Sequence, residues 1–349
     1  MGGLLKYSGI VTKIRAMQSH LLTDQNFEEI ANLGTVTEAV TYLKSTPGYE
    51  DILRDADVNT LHRGDVEKLL TQSLYNDYSR LYSFSGLEVR RFLKLYMKRY
   101  EVDLINYCSR IVFNHYQEPF DLNYKKPFFN QYSQISINRL MTARTMPELV
   151  EALHDTEYYK PLKKLEENGT PNLFDYDLAL DLYYFNSIWK ERKKVLKKQD
   201  LKMFTKSSGT KIDLLNLQWI YRAKKHYTLS AADIYSMLIP IQYHLKSGEL
   251  KTLVEAGGLD EFMAAAQKTY YAKRYAFDSS HTIEQLYKDC LNHLYTAERR
   301  KFPYSLSAVN TYLFLKEEEI HKLTTTLECI RYGLTAKETL EYAGGVQKP

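Results

Sequence analysis

The spacing of the apolar residues constrains this chain most. They fall at Val66, Leu70, Leu74, Tyr78 and Leu81, and again at Val89, Leu93, Tyr96, Tyr100, Leu104, Tyr107 and Ile111. Steps of three and four lay one apolar stripe along an α-helix, and the alternation that a half-buried strand needs is hard to find anywhere. Fifteen glycines and nine prolines in 349 residues leave few turns for an all-β chain or a large dinucleotide-binding sheet. The prolines sit between the periodic runs. Pro119 and Pro127 bracket one joint, Pro240 lies near a second, and Pro171 precedes Asn172 and Asp175, residue types that start helices. The expectation is an all-α protein of two or three domains, at roughly 100–200 residues per domain.

Charge narrows the function classes. Forty-seven basic and 43 acidic residues give a net charge of +4, which does not single out a polyanion binder. An apolar share of 44% with 26% charged residues is too apolar for a disordered chain and too charged for a membrane-embedded one. No run approaches the ~18 apolar residues that cross a bilayer, so any membrane role is expected to be peripheral. Thirty tyrosines are an excess; each can bury its ring while the hydroxyl reaches water or a partner. Three widely spaced cysteines, Cys108, Cys290 and Cys329, make no CxxC pair. They point to a reducing compartment, the cytoplasm. The opening Met1-Gly2-Gly3-Leu4-Leu5-Lys6 lacks the apolar core of a signal peptide, and Lys6 stands where a myristoylation signal has Ser or Thr.

The chain also resembles itself. At a shift of 110 residues, Thr35-Val-Thr-Glu38 meets Thr145-Met-Pro-Glu148, Tyr49 meets Tyr159, and Asp65 meets Asp175. The same shift sets Asp103 against Asp213 and Asn106 against Asn216. A looser third copy follows: Gly257-Gly-Leu-Asp260 and Lys268-Thr-Tyr-Tyr271 resemble the stretch Asp155-Thr-Glu-Tyr-Tyr159, and Asn310 stands for Asn106 and Asn216. This predicts three helical modules at 1–118, 119–230 and 231–349.

Catalytic constellations are sparse. No phosphate-cradling GxxxxGK[ST] loop, GxGxxG or HExxH motif occurs, and His281 and His293 have no further ligands at metal spacing. Asp175, Asp177 and Asp181 could hold a divalent cation, but acidic residues collect at helix starts for the sake of the backbone N–H groups. The basic run from Lys190 to Lys206 reads first as the wet face of a packed helix, with nucleic acid or anionic lipid as the sharper alternative. Polar pairs such as Asp103/Asn106 and Asp213/Asn216, each on one helix face, read as ties between helices. No catalytic, cofactor or metal residues are expected.

Particular residues carry a family resemblance. Tyr7 with Lys13-Ile-Arg15-Ala-Met17, then Asp213-Leu-Leu-Asn216 through Arg222, then Lys316-Glu317-Glu-Glu319 and Arg331-Tyr-Gly333, resemble the C (eukaryotic d) subunit of V-type and archaeal-type rotary ATPases over essentially the whole chain. Arg110 lies four residues after Asn106 whereas Arg222 lies six after Asn216, a departure within the pattern. The closing segment is more like bacterial and archaeal members. The resemblance implies a funnel of three pseudo-symmetric helical modules around a central depression, without catalytic activity. It would link the central-stalk subunits, D and F type, to the membrane rotor ring and transmit torque for proton or sodium transport or ATP synthesis, from the cytoplasmic side of the plasma membrane. The remaining alternatives are a helical-repeat nucleic-acid-binding protein, a general scaffold, or a magnesium enzyme using the three aspartates.

Overall fold

The computed structural model describes residues 2–344 apart from 59, 116–120, 228, 276 and 278–281. Pro119, the 118/119 module boundary and His281 lie outside the described residues. Among those described, the protein is all-helical, with no strand. Seven helices are long: α1 (Gly2–Gln18), α2 (Arg63–Ser83), α3 (Leu87–Phe113), α4 (Leu173–Val195), α5 (Lys198–Arg222), α6 (Ile283–Lys301) and α7 (Leu306–Arg331). Clusters of helices of at most nine residues fill the intervals. No described helix is long and apolar enough to cross a membrane.

The chain packs as two compact units, Met1–Val89 with Phe302–Pro349, and Arg90–Lys301. The first therefore takes both ends of the sequence. Its short helices start where the sequence supplies caps. Thr23 accepts the Asn26 N–H, Thr35 accepts that of Glu38 and Thr335 that of Glu338, each with the reciprocal bond of a capping box. Such a cap satisfies donors that the first turn leaves open, at about 1 kcal/mol each. The apolar faces these caps fix, Phe27, Ile30, Val40 and Leu43, meet Leu323, Leu327 and Ile330 of α7 around the fully buried Tyr49. Gly333 stops α7: its φ of +70° is left-handed, and the Gly333 and Leu334 N–H groups bond back to Ile330 and Cys329.

The second unit holds α3 beyond Val89, α4, α5 and α6, with short helices between them. Asn172 and Asp175 form the capping box that opens α4, so Asp175 serves the backbone there. Thr145 caps the Met146–Ala152 helix with the Glu148 N–H, the arrangement that Thr35 and Glu38 make in the first unit. Phe92 and Phe204 meet edge-on at 5.9 Å between α3 and α5. Gly209 lets Tyr243 lie directly on α5, where a Cβ would meet the ring at 2.5 Å.

Candidate functional site: three buried tyrosine–carboxylate locks

One arrangement recurs three times, once in the first unit and twice in the second. A threonine ends a short helix by donating its hydroxyl to a carbonyl three residues back: Thr46 to Leu43, Thr156 to Leu153 and Thr269 to Ala266, each at 2.7 Å. Two or three residues later comes a fully buried tyrosine, Tyr49, Tyr158 or Tyr271. Each donates its hydroxyl to a carboxylate on a long helix. Tyr49 reaches Glu319 Oε1 of α7 at 2.7 Å, Tyr158 reaches Glu101 Oε2 of α3 at 2.7 Å, and Tyr271 reaches Asp213 Oδ2 of α5 at 2.8 Å. Three residues before the carboxylate, one helical turn away, stand Lys316, Lys98 and Thr210 respectively.

The surroundings differ. In the first unit Lys316, 2% exposed, donates to Glu319 at 2.9 Å and to the Tyr49 hydroxyl at 3.1 Å, and its ammonium lies 4.2 Å from the Tyr49 ring centre. Glu319 also accepts the Leu22 N–H. A lysine–glutamate pair this deep loses hydration on both sides, and only these extra bonds make its burial tolerable. Nearby, Tyr312 donates to Asp77 at 2.5 Å.

In the α3 lock, Lys98 bonds Glu157 at 2.6 Å and Glu191 at 3.0 Å, while Glu101 also accepts Ser133. Desolvation raises the Glu101 pKa against the bonds from Ser133 and Tyr158 that lower it. In the α5 lock, Asp213 accepts the N–H groups of Tyr243, His244 and Leu245, and burial raises its pKa from the usual aspartate value against these bonds, which lower it. One turn on, Asn216 closes a two-way bond with Ile239, its amide donating at 3.0 Å and its oxygen accepting at 2.9 Å. The segment 239–245 has no regular ladder, so Asp213 and Asn216 supply the partners that its buried backbone needs.

Burial drives all three tyrosine pKa values up, with the acceptor carboxylate adding to the shift. A phenol held protonated in this way donates a hydrogen bond at neutral pH and is neither base nor nucleophile. The cysteines are equally inert: all three are buried and free, and burial pushes the Cys108 and Cys290 thiols up to about 12. Asp177 faces Arg110 at 3.4 Å. No described group of three or more His, Cys, Asp or Glu is placed to hold a metal ion. What these clusters do chemically is fix helix against helix.

The sequence-derived positions distribute unevenly over this architecture. Tyr49, Lys316 and Glu319 come together in one lock, and Asp213 and Asn216 in another. Glu317 is half-buried beside the first of these. Tyr7 and Met17 are buried in α1, Arg15 lies 5.8 Å from the Tyr304 ring, and Asn310 is buried in α7. Arg222 is exposed and faces Glu284 at 3.5 Å.

Two pairings need correction. Asp103 is exposed and faces Arg99 at 3.4 Å; the residue that does on α3 what Asp213 does on α5 is Glu101. Tyr159 is half-buried and bonds Glu151 at 3.1 Å; the counterpart of Tyr49 is Tyr158. Asn106 is buried, yet its Oδ1 has no hydrogen-bond partner among the described residues, unlike Asn216. The signal missed was the i, i+3 spacing Lys98–Glu101, Thr210–Asp213, Lys316–Glu319.

An all-helical protein with no described membrane-crossing helix, braced by buried polar locks, is a structural class rather than an identity. Comparison with known proteins supplies the family. The model of the family described as ATP synthase (C/AC39) subunit matches residues 10–342, and the chain belongs to that family. Similar proteins are the C subunits of archaeal A-type ATP synthases. That of Methanosarcina barkeri is 30% identical, the match covering 77% of this chain and 72% of the relative. That of Thermococcus kodakarensis is 26% identical over 97% of this chain and 91% of the relative. That of Methanocaldococcus jannaschii is 28% identical over 77% and 67%.

Proposed function

We propose that this protein is the non-catalytic subunit of a rotary ATPase that joins the central stalk, of D- and F-type subunits, to the membrane rotor ring and carries torque between them. The observation that carries the reading is the whole-length family match together with the three locks. A torque element must not shear internally, and each lock ties a cluster of short helices to a long helix through a buried, charge-assisted bond. In this reading the chain is three modules, 1–118, 119–230 and 231–349, that line a central depression as a funnel. The recurrence of threonine turn and buried tyrosine at 46–49, 156–158 and 269–271, with a threonine N-cap before the first two, supports it. The protein then works at the cytoplasmic side of the membrane, held there peripherally through the ring, and nucleotide chemistry belongs to other subunits.

The test is affinity purification of the tagged chain at native expression level. Co-purification of stalk and rotor-ring proteins is expected, and recovery without any other component of a rotary ATPase contradicts the proposal.

A further inference from the structure

Charge is spread unevenly over the second unit. Lys190, Lys193, Lys194, Lys197, Lys198 and Lys202, around the turn between α4 and α5, are all exposed. None makes an ion pair or hydrogen bond with a described residue. Their neighbours in the basic run behave otherwise. Arg192 is buried over the Trp189 ring at 3.4 Å, and Lys206 is bound to Glu298 at 2.6 Å.

The packing brings further cations to this end. The Lys206–Glu298 pair sets the last turn of α6, with exposed Arg300, beside the start of α5. The Phe92–Phe204 contact and the Lys98–Glu191 bond set the start of α3, with exposed Arg91 and Lys94, against α5 and α4. The carboxylates here are already engaged: Glu191 by Lys98, Glu298 by Lys206, and Asp200 also has an interaction of its own. A chain with a net charge of only +4 thus carries one end with at least nine exposed, unpaired cations.

Helix stability accounts for only part of this. Cations in the last turns of α4 and α6 complement the negative end of the helix dipole. Lys197 and Lys198, however, are the N-cap and first residue of α5, where the dipole opposes a positive charge, and Lys197 makes no side-chain cap bond. Lys198 also adopts φ +46°, a left-handed conformation uncommon for a residue with a side chain. Repulsion and an unfavourable dipole thus converge on this strained turn, and an external anionic surface would offset both of these electrostatic costs.

We propose that this end of the second unit docks on an anionic lipid bilayer. Clusters of four to eight lysines or arginines are the usual footprint for anionic headgroups, each contributing independently of exact geometry. Lysine dominates the cluster, as suits a diffuse, hydrated headgroup layer, whereas arginine is favoured for bidentate phosphate recognition. Single-stranded nucleic acid would call for exposed aromatic rings between the cations. Residues 190–202 around this turn contain no aromatic, and the adjoining Trp189 is covered by Arg192. The lipid contact is direct, so it needs no other component of the ATPase.

The test is co-sedimentation of the full chain, alone, with vesicles of phosphatidylcholine and of phosphatidylcholine mixed with phosphatidylglycerol. Binding is expected to the mixed vesicles only and to weaken steeply with salt. The triple variant Lys194→Gln/Lys197→Gln/Lys198→Gln should reduce it on the order of a hundredfold without lowering the melting temperature. Removing the same charge elsewhere in the unit, as Lys160→Gln/Lys268→Gln/Lys273→Gln, should change it far less. Equal binding to both vesicle types, no binding to either, equal loss in both triple variants, or tighter binding to a single-stranded oligonucleotide than to the mixed vesicles overturns the proposal.

Discussion

Tyr158→Phe removes one oxygen and leaves Glu101 buried with one donor fewer, so a loss of roughly 1–3 kcal/mol is expected, readable as a lower denaturation midpoint. Asp213→Ala should cost more, about 3–5 kcal/mol, because three backbone N–H groups and the Tyr271 hydroxyl lose their acceptor together. If Asp213→Ala melts like the parent, Asp213 does not hold the 239–245 segment. Lys125 offers a test of opposite sign. It is buried, and desolvation lowers its pKa from 10.5 to about 8. The unfolded chain therefore binds more protons than the native one between these values, so this lysine's contribution to stability rises with pH across the window. Lys125→Met should raise stability at pH 7 by about 1–3 kcal/mol and flatten that rise; chemical denaturation at pH 7 and pH 10 measures both. Of the lock residues, Tyr49, Lys316, Glu319 and Asp213 are legible as sequence motifs, whereas Glu101 and Tyr158 are not. A constant shift of 110 residues selects Asp103 and Tyr159. The threonine-to-tyrosine turn is one residue shorter in Thr156–Tyr158 than in Thr46–Tyr49, and the carboxylates at 101 and 213 are 112 residues apart. Two residues turn an α-helix by about 200°, enough to carry a side chain from the core face to solvent, which is where Asp103 is found.

The helices themselves were well marked in the sequence, and for physical reasons. The apolar steps from Val66 and from Val89 lie on α2 and α3, Asn172 and Asp175 begin α4, and the Thr35/Thr145 correspondence is a repeated N-cap. Caps and periodicity are local, so they survive without knowledge of packing. How the long helices pair was not marked, because the contact between α7 and the 24–53 helices joins residues some 270 apart. Gly209 illustrates the gap: within Ser207-Ser208-Gly209-Thr210-Lys211 it resembles a broken phosphate loop, yet it lies inside α5 to admit the Tyr243 ring. Gly209→Ala should therefore destabilise, by about 1–3 kcal/mol from overpacking, although alanine is the better helix former. A stabilised variant in thermal unfolding would show that Tyr243 moves aside freely.

For the whole molecule, the first unit is closed by the two ends of the chain: Glu319 of α7 holds both Tyr49 and the Leu22 N–H. Truncation before α7 should thus unfold the 24–53 helices as well, a loss of protease protection far from the cut. Periodicity marks the class, which is all-helical among the described residues, but nothing in periodicity or charge reaches a rotary ATPase; only motif resemblance and the family match do. The coupling role is tested most directly in membrane vesicles from a strain lacking this protein. The account predicts that the soluble sector still hydrolyses ATP while the vesicles lose ATP-driven ion uptake, and that supplying the intact chain restores it. Normal ATP-driven uptake in the deletion vesicles would contradict the account.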